Sequence, residues 1–558
     1  MLWLFRLSLV ALSGAWTTNC TNDGGATWGP CGPGREDCGP PFSDPATPQY
    51  HPRSASCGEN DPNFSFYDPL HGLYHHFWQE HIAMPRNGEG GGPVIAHAVS
   101  ADLAKWTRLP IAVWNDAPYD SRAIFTGSTT IVNMVPTMMY PGLCTQNSFP
   151  GCMGMDFSIA VPANRSDPLL TNWSKPSYNP ILNASGDDPT TAWRTASGEW
   201  RMTRKDGRVF WSTDFVRWHP AACAQPGGCG PNGELFSQSE CGDFFELPPA
   251  CATDPGCTVG GPSPAPTHVR KVSLNGDFYT LGVYADGPPG STGAWTPTHN
   301  TSAWVPLLQP LDASVRNDSR GYEVFAAVAK SFFDPSENRR VWFSWVKVLA
   351  PGAQSLAREA RYHAALARLV FAPVPTMAGL RAAPPLFSAP ALTVAAGGAV
   401  WLGDWDPGVG NQSEVAATFA LPASGPPAVF GVQVNVGRGR TGGAGGANVS
   451  NTLRVVFDPA TRAANASWGA VEAALPILPT DTEVDVHVFL DRAVAEIYVG
   501  KGRLAFTVAA GSAASSAEAG MVVFAEGQAV EARDIGAWHL NSCWVSKEEV
   551  LAGRKQRN

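Results

Sequence analysis

Short aromatic runs, each set off by a turn, recur along this chain, and a chain punctuated in this way cannot be assembled from long helices. Leu73–Trp78 (LYHHFW), Glu199–Met202 (EWRM), Asp277–Tyr284 (DFYTLGVY) and Arg340–Val346 (RVWFSWV) read as strands. Asp-Pro dipeptides, which favour turn initiation, precede three of them, at Asp68, Asp188 and Asp334. The 57 glycines and 49 prolines among 558 residues point the same way, because both disrupt helix interiors. A repeated turn and aromatic strand predicts a radial β repeat, a propeller. The repeat is too degenerate to count blades.

Residues near 380–398 (RAAPPLFSAPALTVAAGGA, 381–399) are rich in Pro and Ala and read as a linker. A second strand-rich region follows. Val484–Leu490 alternates, and Val494–Val499 returns after a short turn at Asp491–Ala493, a hairpin signal. With the Gly-rich loop at 441–447, this pattern predicts a β-sandwich. A short helix is expected only near Ser546–Leu551.

The first residues, MLWLFRLSLVALSGA, have the charged start, apolar run and small residues of a signal peptide cut after Ala15. Residues 16–56, with Cys20, Cys31 and Cys38, read as an irregular cysteine-rich leader. The spacings Cys144/Cys152, Cys223/Cys229 and Cys251/Cys257 suit short disulfide loops in an oxidising compartment. Ten N-x-S/T sequons agree with secretion, to the outside or through the secretory pathway to vacuole or cell wall. They are Asn19, Asn63, Asn164, Asn172, Asn183, Asn300, Asn317, Asn411, Asn448 and Asn465. No stretch is apolar for long enough to span a bilayer. The net charge is −9 with no basic stripe, which argues against a nucleic-acid partner. Oligomeric state is not legible.

Three acidic motifs carry chemistry: Asn60-Asp61-Pro62-Asn63, Asp187-Asp188-Pro189 and Glu240-Cys241-Gly242-Asp243. Retaining glycoside hydrolysis needs one ionised carboxylate to attack the sugar and a second carboxyl to act as acid and then base. In a propeller, residues at the starts of the innermost strands of different blades converge at one end of the channel. Nine Asp-Pro pairs occur, however, and most of them are turns, so the dipeptide alone does not single out Asp61 or Asp188. Among His75, His76, His81 and Glu80, adjacent strand residues point to opposite faces, so no single-metal cage is expected. No phosphate-binding Gly loop or Ser/Cys triad is apparent, and carboxylate chemistry needs no cofactor.

The order of the motifs resembles glycoside hydrolase family 32, the invertases and fructan hydrolases. The matching segments are Asn60–Asn63; His76-Phe77-Trp78-Gln79; His97–Ser100 with Asp102, Leu103 and Trp106; Phe125–Ser128; Asp188–Trp193; Glu240-Cys241 with Asp243–Phe245; Ser355–Glu359; and Asp491-Arg492 with Glu496–Tyr498. The resemblance implies an all-β chain: a five-bladed β-propeller over 57–380, then a β-sandwich over 395–545. It implies Asp61 as nucleophile, Glu240 as acid/base and Asp188 as transition-state stabiliser, with Asn60, Gln79, Phe125, Ser128, Asp187 and Trp193 around the sugar. Glu240 is then expected to be buried beside negative charge, so that it keeps its proton.

Three departures touch the pocket. Asp187 replaces the Arg of the family's Arg-Asp-Pro, Phe64 replaces the Gly after the first motif, and Gly242 replaces the Pro after Glu-Cys. The expected activity is release of terminal β-D-fructofuranosyl units from sucrose or fructans. The alternatives are fructosyl transfer through the same intermediate, and a carbohydrate-binding protein that has lost catalysis. A glycan on Asn63 would block the pocket, so that sequon is expected to be unmodified.

Overall fold

The computed structural model describes residues 47–554 except 55–57, 82–91, 184–185, 225–227, 231–233, 237–239, 248–264, 274–275, 299–308, 315, 319–320, 324, 348–351, 438–450 and 512–518. The expected signal peptide, most of the expected leader, Cys57, Cys251, Cys257 and the 441–447 loop fall outside the described residues, as do Asn19, Asn300 and Asn448.

Five antiparallel sheets, each built from consecutive strands, form a five-bladed propeller. The first blade is Gly58–Asp68, Leu73–His81, Val94–Ser100 and Trp106–Val113. The second centres on Val135–Leu143 and Met155–Pro162. The third runs from Trp193–Arg194 through Trp200–Thr203 and Val209–Ser212 to His219–Pro220. The fourth opens with Glu240–Glu246 and continues through His268–Ser273 and Asp277–Ala285. The fifth is Ala326–Asp334, Arg339–Val346, Arg358–His363 and Arg368–Pro373. All four aromatic runs are strands.

Blades are glued by the aromatic faces those runs supply. Phe64, Phe66 and Phe77 of the first blade pack with Ile124, Met138 and Tyr140 of the second. Tyr74, Trp78 and Trp106 pack with Phe332, Trp342 and Phe343 of the fifth. His75 and His76 do point to opposite faces. His75 stacks on Phe66 and sits 3.0 Å from His97, while His76 stacks on Phe343. Burial pushes both imidazoles down to about 3.

Two six-stranded sheets form the sandwich. Val432, Phe430 and Val523 of one face Val415, Val486 and Ile497 of the other across a dry core. The expected linker is shorter in the structure. The propeller's last strand ends at Pro373, and Phe387–Val394 already pairs with Val530–His539 as a sandwich edge strand, eight residues ahead of the expected start at 395. Pro and Ala misled there because an edge strand tolerates a proline that a central one does not. The terminal helix is Lys547–Gly553, with Ser546 Oγ accepting from Glu549 N. No helix among the described residues is long and apolar enough to cross a membrane.

Both ends of the described chain cross between the domains. Residues 47–54, without strand as expected of the leader, are deeply buried. Asp491 of the sandwich accepts hydrogen bonds from the backbone N–H groups of Gln49 (2.7 Å), Tyr50 (2.8 Å) and His51 (2.9 Å). His51 also places Nδ1 2.8 Å from Asp491 and Nε2 3.2 Å from Glu496. Beyond His539 the chain returns to the first blade. Cys543 O accepts from Trp106 N, Val545 N donates to Trp106 O, and Val550 packs with Leu73, Val99 and Leu109. Between the domains Arg358 of the fifth blade is fully enclosed, 2.8 Å from Asp312 and 2.9 Å from Glu496.

Candidate active site

The three motif carboxylates come from three blades. Asp61 lies in the first strand of the first blade, Asp188 just ahead of the third blade, and Glu240 begins the fourth. In the first and fourth blades the register is broken at the motif itself, between Glu59 and Pro62 and between Glu240 and Asp243. Such bulges re-aim side chains. Asp188 and Cys241 have positive φ, 53° and 42°. A non-glycine residue in that region is strained, and such strain concentrates at functional sites.

Cys241 ties the motifs together. Its backbone N–H donates to Asp188 Oδ2 (2.8 Å), and its Sγ lies 3.3 Å from Asp61 Oδ2. Two buried lysines hold the backbone here: Lys271 Nζ donates to Cys241 O (3.1 Å) and Lys330 Nζ to the neighbouring Gly242 O (2.9 Å).

Asp61 is fixed by a circuit of hydrogen bonds. Thr126 Oγ1 donates to its Oδ2 (2.7 Å), and Gln79 Nε2 donates to Thr126 Oγ1 (2.8 Å). Asn60 Nδ2 donates to Gln79 Oε1 (3.1 Å) and to Asp61 Oδ1 (3.2 Å), and His81 Nε2 lies 2.8 Å from Asn60 Oδ1. Desolvation raises Asp61 above the usual carboxylate range, while the Thr126 and Cys241 donors pull the other way. Asp188 is raised by burial first, then by the charges of Asp187 and Glu240. Asp187 is also raised, by burial ahead of Glu240, against the pull of Lys205.

Glu240 departs from expectation. Its side chain is 58 % exposed, not buried, and Lys205 Nζ donates to its Oε1 at 2.9 Å. The same Nζ is 2.7 Å from Asp187 Oδ2. Oxygens of Asp187, Asp188 and Glu240 lie within 4.8 Å of one another, close enough to ligate a cation, but the Lys205 ammonium already bridges two of the three.

The other expected sugar contacts divide. Asn60 donates to Asp61 directly, Gln79 reaches it through Asn60 and Thr126, and Asp187 is joined to Glu240 through Lys205. Ser128 Oγ donates to Pro189 O (2.8 Å), anchoring the segment that carries Asp188. Phe125 is half-buried beside Thr126, its N–H bonded to Pro141 O. Trp193 instead packs edge-on against Phe244 and Tyr284, and lines a hollow of about 240 Å³ with Glu246 and His268, toward the far end of the Glu240 strand. Phe64 has φ 52° where the family motif has glycine, which adopts that conformation freely. Its ring fills the space beside Gly127, where a Cβ would come within 2.5 Å of it.

Sequence reading missed Lys205, Lys271, Lys330 and the role of Thr126. A lone lysine inside the apolar strand AAVAKSFFD was a usable signal for Lys330, since an unpaired lysine is not buried. Lys205 sits in an ordinary-looking Asp-Gly turn and gave none.

Matches to known proteins cover both domains. Residues 51–369 match the glycosyl hydrolases family 32 N-terminal domain and 410–539 the family 32 C-terminal domain. The chain belongs to glycosyl hydrolase family 32. An acid beta-fructofuranosidase 2, vacuolar, from a Rosa hybrid cultivar is 34% identical over 310 residues, 51% of this family 32 chain and 42% of the relative. An insoluble isoenzyme 1 of beta-fructofuranosidase from Daucus carota is 32% identical over 329 residues, 55% and 50% respectively. The chain thus spans half or less of the length of these curated relatives. Fructan 1-exohydrolase IIa from Cichorium intybus shares the fold with a TM-score of 0.70 at 22% identity, over 90% of this chain and 99% of that one. Exo-inulinase from Aspergillus awamori has a TM-score of 0.62 at 18% identity, over 90% and 100%.

Proposed function

We propose that this family 32 chain is a retaining glycosidase that releases terminal β-D-fructofuranosyl units from sucrose or fructans. The observation that supports the reading is Cys241, the residue next to Glu240, which bonds both Asp188 and Asp61. In this reading Asp61 attacks the anomeric carbon while Glu240 gives its proton to the departing glycosidic oxygen. A covalent fructosyl–Asp61 ester results. Glu240 then takes a proton from water, which attacks the same carbon and restores the Asp61 carboxylate. Asp188 accepts hydrogen bonds from sugar hydroxyls that strengthen as oxocarbenium character develops. The Thr126, Gln79 and Asn60 circuit holds Asp61 in line. Disulfides Cys144–Cys152 and Cys223–Cys229 suit passage through the secretory pathway, as the vacuolar relative's name does.

The test is purified protein with sucrose, inulin and levan, with free fructose and longer oligosaccharides measured separately. Fructose release is expected, and Asp61→Asn and Glu240→Gln are each expected to lower kcat at least about 100-fold. Unchanged turnover in either variant removes the role given to that residue. Growing oligosaccharides would reassign the chain as a transferase. Tight sugar binding without turnover would make it a lectin-like protein.

A further inference from the structure

The family's Arg-Asp-Pro places a guanidinium beside the stabilising aspartate, and this chain puts Asp187 there. Taken alone, that change leaves three carboxylates within 4.8 Å of one another. Like charges so close cannot all ionise without a counter-charge. We infer that Lys205, reaching in from the neighbouring hairpin, is the positioning residue that replaces the lost arginine: it fixes Glu240 and neutralises the carboxylate cluster. The inference rests on the proposed glycosidase reading and deepens it.

The hairpin is built to deliver this side chain. Lys205 occupies the turn between Trp200–Thr203 and Val209–Ser212. Gly207 closes that turn at φ 81°, and a Cβ there would lie 2.2 Å from Phe236 O. The turn is latched to the Asp187 segment three times. Lys205 N donates to Asp187 O (3.1 Å), Thr190 N to Thr203 O (2.9 Å) and Thr203 N to Thr190 Oγ1 (3.0 Å). Gly186 lies against the Arg204 side chain, whose Nη1 would be 2.7 Å from a Cβ there, so the two segments are in close contact. Lys205 is therefore not a loose surface lysine. Its side chain is 21 % exposed, and its ammonium makes two charge-assisted bonds, to Asp187 and to the otherwise exposed Glu240. The acid/base carboxylate thus depends on one lysine for its orientation.

The experiment pairs Lys205→Met, which keeps the stem and removes the charge, with Lys205→Arg. In Lys205→Met, kcat for sucrose is expected to fall about 100-fold, the cost of a misplaced catalytic group. The basic limb of its pH–rate profile is expected to move to higher pH, because the cluster loses the cation that favours ionised carboxylates. Lys205→Arg is expected to restore most of kcat. A crystal structure of Lys205→Met gives a readout that does not need turnover: the Glu240 carboxylate is expected to swing away from Asp187. If wild type cleaves no fructoside yet Glu240 moves, the glycosidase reading fails and the positioning role stands. A Lys205→Met enzyme with kcat within threefold of wild type, an unshifted profile or an unmoved Glu240 overturns the inference. So does equal loss in Lys205→Arg.

Discussion

Replacing Asp491 by Asn removes one charge and leaves the shape almost unchanged, which makes it a sharp probe of how the leader is held. The carboxylate receives Gln49 N on Oδ1, and Tyr50 N, His51 N and His51 Nδ1 on Oδ2, all within 2.9 Å. Asp491 and His51 are both 0 % exposed. An amide offers a single acceptor oxygen. Set opposite the three donors, it turns its NH₂ toward Gln49 N, donor against donor. Removing one member of a buried ion pair costs about 3–5 kcal/mol, and a stranded buried donor costs about 1–3 kcal/mol. The two overlap, so about 4 kcal/mol is the expected loss at pH 7. A pH signature accompanies it. Burial alone would lower His51, but bonds to Asp491 and Glu496 raise it to about 9, above the 6.5 of an exposed imidazole. A raised cationic group contributes stability that is complete below 6.5 and lost as pH climbs through 9. For a shift of this size the contribution is about 3 kcal/mol. Urea unfolding followed by tryptophan fluorescence at pH 6, 7.5 and 9.5 measures both. Wild type is expected to weaken across that range, and Asp491→Asn to start lower and weaken less. A variant within about 1 kcal/mol of wild type, with the same pH slope, would falsify the argument.

Four further outcomes are expected. Thr126→Val strips Asp61 of its strongest donor and orphans Gln79 Nε2, so kcat is expected to drop about tenfold with little change in thermal midpoint, read by steady-state kinetics and calorimetry. Gly127→Ala drives a methyl to within 2.1 Å of Met139 O and 2.5 Å of the Phe64 ring; a lowered thermal midpoint is expected. Asp68 is held down to about 2 by Arg165 and His71 against the effect of burial, so its stabilisation is present above the unfolded carboxylate range and lost as pH falls toward 2. Arg165→Ala is therefore expected to unfold at higher pH in an acid titration followed by circular dichroism. Asn63 is 0 % exposed and donates to Asp61 O, so glycopeptide mass spectrometry is expected to find it bare; a sugar there in active protein would refute its burial.

Much of the architecture was legible because strand and turn signals are local. LYHHFW and RVWFSWV alternate faces and pack between blades as their pattern required. The carboxylates were legible through motif context, since the Asp-Pro pairs alone do not discriminate. What stayed hidden was set by partners distant in sequence. Glu240 is paired with Lys205, 35 residues away, a partner that no local pattern reveals. Lys271 and Lys330 pair with Asp277 and Asp243 and also reach two carbonyls, at 241 and 242, that no periodicity reveals. The strand at Phe387–Val394 was obscured because a Pro- and Ala-rich edge strand has the composition of a linker.

Among the described residues every blade is made of consecutive strands, and no strand exchanged between first and last blade fastens the ring shut. The aromatic seam between the first and fifth blades is reinforced by the two ends of the described chain. Residues 47–54 lie against the sandwich, while 540–553 leave the sandwich and dock on the first blade, and the two meet where Cys543 N and Ser542 Oγ bond Gln49 O. The sandwich is therefore the buckle of the catalytic ring rather than a passenger behind it. Cutting the chain between Pro373 and Phe387 yields two pieces that each lose a seam, and only their reassociation is expected to restore a ring that holds its carboxylates in place.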